Sequence, residues 1–156
     1  MDVADIRFLF AYDRWATEKV LAVAAGVPME DWSESNRIDR RGLGGIMVHA
    51  LGAHERWRAG WQRLALPAPR ERQPLVTPEE LHAAWRTEWR ALDRYLAELS
   101  DDEVRGAFDD VTMWHTLVHL VNHGTQHRSE AAVLLTIMGR SPGDLDLIDF
   151  APTIGE

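Results

Sequence analysis

The segment from Thr112 to Met138 contains no proline and places His115, His119, His123 and His127 four residues apart. Four residues turn a helix about 400° and advance it about 6 Å, so successive histidines fall close to one face. The spacing predicts one long helix starting near Thr112 and ending at Gly139, a good C′ residue with Pro142 just beyond. A helix that long must be covered by others, and its last turns, Ala131 to Met138, are apolar all round and read as buried. Any adjacent histidine pair on the ladder can converge on one ion. Helical geometry alone leaves three such pairs open.

Three further helices precede it. The first covers residues 3 to 25, with Ile6, Leu9, Ala16 and Val20 at helical spacing and Gly26-Val27-Pro28 as its stop. Asp13 falls on that stripe and is read as an edge position. Residues 29 to 41 read as a loop with room for a short element. The second helix runs from Gly42 to about Leu66, with Ala50, Ala53, Trp57, Trp61 and Leu64 as its stripe and His49 and His54 on opposite flanks. Three prolines between Pro67 and Pro74 make a linker. Thr77, Pro78 and Glu80 then form a start signal for a helix running to about Leu99. Residues 100 to 111 read as acidic turns, and Ser141 to Glu156 as an extended cover. The tryptophan pairs 57/61 and 85/89 read as core or interface filler. Four helices without a strand pattern predict an all-α four-helix bundle, with residues 1–156 forming one domain.

Composition narrows the function. The formal net charge is -8, which supplies no surplus to neutralise phosphates and argues against a nucleic-acid partner. No apolar run is long enough to span a bilayer. The acidic start, Met1-Asp2-Val3-Ala4-Asp5, lacks the basic region of a signal peptide, so a cytoplasmic protein is expected. There is no cysteine, so a metal must be held by His, Asp or Glu. Two histidines of the ladder need a third ligand from a facing helix, and His49, His54 and His82 are the candidates. Three imidazoles with an open position make a catalytic type of site. The sequence has no His-Glu-x-x-His run, no Glu-x-x-His pair of the di-iron type and no nucleophile elbow.

The run from His119 to Glu130 resembles the signature helix of the DinB family, the DinB/YfiT-like metalloenzymes, which are distinct from the DNA polymerase sharing the name. Tyr12-Asp13-Arg14-Trp15-Ala16, Gly45 to Ala50 with Glu55 and Trp57 following, and Pro142 to Asp146 resemble other parts of the family pattern, so the likeness extends over nearly the whole chain. It implies a four-helix bundle with a long crossover connection, often a homodimer. It also implies a divalent metal, zinc or nickel, on three histidines, which here are His49, His123 and His127. His119 then becomes a helix-face neighbour and His115 a surface or rim residue. Ser129 and Glu130 depart from the usual Gly and Gln, and Asp13 from the usual Asn; none is a ligand in that pattern. Arg128 is read as a structural salt-bridge residue. The resemblance points to a transferase that activates a low-molecular-weight thiol cosubstrate for attack on an electrophilic small molecule. The alternatives are a metal-dependent hydrolase and a non-catalytic, stress-associated metal-binding bundle.

Overall fold

A computed structural model describes residues 1–151. Its four long helices are α1 (Val3–Ala24), α3 (Gly42–Trp61), α4 (Pro78–Glu98) and α6 (Met113–Ile137). Three short ones join or follow them: α2 (Met29–Ser33), α5 (Asp101–Arg105) and α7 (Leu147–Phe150). The start of α4 obeys the sequence signal. Thr77 accepts from the Glu80 amide while the Glu80 carboxylate accepts from the Thr77 amide, with proline in the first turn. The same reciprocal cap, from Asp2 and Asp5, starts α1. Gly139 closes α6 at φ +74, a backbone shape that favours glycine.

Two core clusters reveal the chain direction. One holds Val20 and Leu21 of α1, Ile46 and Leu51 of α3, Leu81 and Trp85 of α4, and Leu134 and Leu135 of α6. The other holds Ile6 and Phe10 of α1, Trp61 of α3, Leu92 and Leu96 of α4, and Leu117 and Leu120 of α6. Helices α1 and α6 therefore run one way, and α3 and α4 the other. Parallel α3 and α4 need a connection that returns along the bundle, and residues 62–77 are that long crossover. Burying side chains such as Leu51 and Leu117 completely stabilises the bundle by roughly 1.5–3 kcal/mol each.

The crossover is pinned to the helices. A single 3-10 turn at Arg70–Arg72 packs on α3, and the Arg70 guanidinium grips both oxygens of Glu55 at 2.6 Å. Near the other end, the buried Trp32 of α2 donates its indole N–H to the Val76 carbonyl at 2.9 Å.

Several expectations need correction. Helix α3 stops at Trp61, before the first crossover proline, and Leu64 is exposed beyond it. The acidic turns contain α5 and a two-residue hairpin, β1 (Ala107–Phe108) against β2 (Val111–Thr112). The end of α6 is buried on one side only: Leu134 and Leu135 face the core, whereas Val133 and Ile137 are exposed. An apolar sequence does not need cover on every side: among the described residues α6 packs chiefly against α1 and α3. Asp13 is interior, not at an edge. The tail carries α7, and the cover expected at 152–156 lies outside the described residues.

Candidate metal centre

The antiparallel register of α3 and α6 selects among the ladder pairs. Trp61 donates to Thr116 Oγ1 at 3.0 Å, Trp57 meets His119 edge-on at 5.4 Å between ring centroids, and His49 meets His127 at 4.8 Å. His49, near the start of α3, thus stands opposite the later half of the ladder. His123 Nε2 lies 3.2 Å from His49 Nε2 and 3.2 Å from His127 Nε2. One ligand nitrogen from each of the three falls within 4.8 Å of the other two.

This arrangement fits a metal better than it fits a hydrogen-bond network. Nitrogens about 2.0–2.1 Å from a tetrahedral ion stand roughly 3.3 Å apart, close to the two 3.2 Å separations. The Nδ1 atom of His127 lies 2.7 Å from Glu130 Oε2, and that of His49 lies against Glu71 Oε1. A carboxylate only accepts, so each Nδ1 carries the hydrogen, and the neutral ring then presents a lone pair at Nε2. His123 Nε2 sits between those two lone pairs, and one N–H cannot point at both. A single cation can serve all three nitrogens.

The surroundings of His123 and His127 favour their neutral forms. Burial, reinforced by the neighbouring His127 and His49, pushes His123 down to about 4. Burial also lowers His127, opposed by the hydrogen bond to Glu130. Both imidazoles therefore offer lone pairs at neutral pH, as metal ligation requires. Burial works to raise the Glu71 carboxyl, but the His49 hydrogen bond and other attractive contacts outweigh it, leaving the group below its usual range. Glu71 remains a charged acceptor for His49.

The other candidate ligands lie elsewhere. His54 is fully buried, 3.4 Å from Asp13 Oδ2 and edge-on to Trp85, and burial drives it toward the neutral form. His82 faces Glu18 at 3.2 Å. His115 is exposed and borders the β1–β2 hairpin. His119 is exposed on the α6 face next to His123.

Beneath the cluster lies a buried ion pair. Arg128 and Asp13 are 3% and 1% exposed, and the guanidinium also reaches Thr125 Oγ1 at 2.9 Å and Thr17 Oγ1 at 3.3 Å. The salt-bridge reading of Arg128 holds, and Asp13 is its partner. Gly124 makes room for them: a Cβ there would stand 2.5 Å from Asp13 Oδ1 and 2.7 Å from Arg128 Nη1. The pair ties α1 to α6 one residue from His127.

Sequence reasoning did not find Glu71 and Glu130 as orienting groups. Glu130 had a signal, since a carboxylate three residues after a histidine shares its helical face. Glu71 had none, because its role depends on where the crossover lies.

Among known proteins, a family model described as the DinB family aligns with residues 2–154. No curated protein and no solved structure matches the chain. None of the helices among the described residues is long and apolar enough to cross a membrane.

Proposed function

The chain belongs to the DinB family, and on that premise we propose that it is a metal-dependent transferase using a low-molecular-weight thiol. The supporting observation is the convergence of three imidazole nitrogens beside a cavity of about 360 Å³ bordered by His49 and His123. His49, His123 and His127 would hold a divalent ion, zinc or nickel, as three protein donors. Such an ion supplies Lewis acidity, which lowers the pKa of a thiol at an open position. The chain has no cysteine, so the sulfur comes from the cosubstrate.

The surrounding residues support this reading in distinct ways. Glu71 and Glu130 accept from the Nδ1 atoms, fixing the ring orientations and raising their basicity. Both carboxylates are engaged by the Nδ1 atoms, which supports a thiol reading over hydrolysis. Trp57 and His119 offer an aromatic wall. In the reaction the thiol sulfur bonds to an electrophilic carbon, the bond to the leaving group or epoxide oxygen breaks, and the thiol proton ends on that oxygen or in solvent.

The test is thioether formation by zinc- or nickel-loaded protein, with a panel of low-molecular-weight thiols and an epoxide or activated aryl halide. Turnover that disappears on chelation and in His123→Ala is expected. Metal-dependent ester cleavage without any thioether would favour the hydrolase instead.

A further inference from the structure

The cavity beside the three histidines has one wall that metal binding does not explain. His49, Gly52, Ala53 and Arg56 line it from α3, at spacings of three, four and seven residues that share a helical face. Arg70 of the crossover packs over Gly52, and the cavity passes the small side chain of Ala53 between His49 and Arg56, which stand about two helical turns, roughly 10 Å, apart along α3. Trp57 and His119 stand at one side, and Pro69 and Glu71 of the crossover at the other.

Arg56 is the unusual member. It is half-buried and makes no ion pair among the described residues; its Nη1 donates to the Pro67 carbonyl. Nearby arginines are satisfied differently: Arg58 grips Glu88, Arg70 grips Glu55 and Arg41 grips Asp39. A guanidinium presents five N–H donors in a fork that matches a carboxylate. With one donor on the Pro67 carbonyl, the remaining N–H groups are left for an anion. The chain's net charge of -8 gives no general attraction for anions, so any preference for one must be local.

We propose that this cavity selects small carboxylate-bearing ligands, with the metal-binding atom at the three-histidine end and the carboxylate on Arg56. The proposal rests on the metal-centre reading and names the substrate class of that site. It makes Arg56 a specificity-determining residue, with Trp57 and His119 flanking the ligand body.

The experiment uses cobalt(II)-loaded protein, with binding followed by visible absorption. Two ligand pairs are titrated: 3-mercaptopropionate against 2-mercaptoethanol, and imidazole-4-acetate against 4-methylimidazole. The carboxylate member of a pair should bind about tenfold tighter to the wild type, in line with a charge-assisted contact worth roughly 1.5 kcal/mol. Arg56→Gln should abolish that difference, and Arg56→Lys should keep part of it. Equal binding within both pairs, or a preference that survives in Arg56→Gln, would overturn the proposal. Preference in the imidazole pair, with no binding by either thiol, would support it while removing the thiol as cosubstrate. Thiols that bind without preference, with none in the imidazole pair, would leave thiol activation standing and refute the role of Arg56. Binding by no probe would overturn both.

Discussion

Arg128→Met is expected to lower the free energy of unfolding by about 3–5 kcal/mol, the usual consequence of stranding one partner of a buried ion pair. The Asp13 carboxylate, 1% exposed, would lose its guanidinium. Its remaining neighbour is His54, 3.4 Å away, which burial drives toward the neutral form. The double variant Asp13→Leu/Arg128→Met should be less destabilised than Arg128→Met alone, because an apolar pair leaves no buried charge. Denaturant unfolding of the three proteins measures this coupling. A cost below about 1 kcal/mol for Arg128→Met would mean that the pair is not a structural tie between α1 and α6.

The second large effect concerns the carboxylates behind the ligands. Glu71→Ala and Glu130→Ala should each weaken metal affinity by about 10–100-fold, as loss of a group that orients a ligand histidine does. The mechanism is loss of the Nδ1 hydrogen bonds of His49 and His127, which frees the rings to turn and lowers their basicity. Glu71→Gln should retain part of the effect, since an amide oxygen still accepts. Glu71 also sits on the crossover, held to α3 by the Arg70–Glu55 pair, so Glu55→Gln should weaken metal binding without touching a ligand. Competition with a metal-sensitive dye reads all four. Unchanged affinity in both alanine variants would rule out an orienting role.

How much of this was legible in the sequence depends on whether each feature is local. The ends of α4 and α6 were readable because Thr77, Glu80 and Gly139 act within one turn of the backbone they cap. The histidine ladder was readable for the same reason, but the choice of pair was not. It is set by the antiparallel register of α3 and α6, a long-range fact that only the family resemblance could anticipate. Asp13 was misplaced because a charged residue on an apolar stripe is usually assigned to its margin, and its partner Arg128 lies 115 residues away. Gly124, between the candidate ligands His123 and His127, had no reading in the sequence, because its reason is the distant ion pair it accommodates. The end of α6 was overestimated as core because hydropathy does not count how many neighbours will pack there.

Metal content per chain, measured by mass spectrometry on tag-free protein beside His49→Ala, His123→Ala and His127→Ala, tests the central claim most directly. The geometry predicts about one divalent ion per wild-type chain and loss of that ion in each variant, because two imidazoles hold such an ion poorly. Metal retained by all three variants, or a wild type that stays empty after incubation with zinc and nickel, would contradict the three-histidine centre.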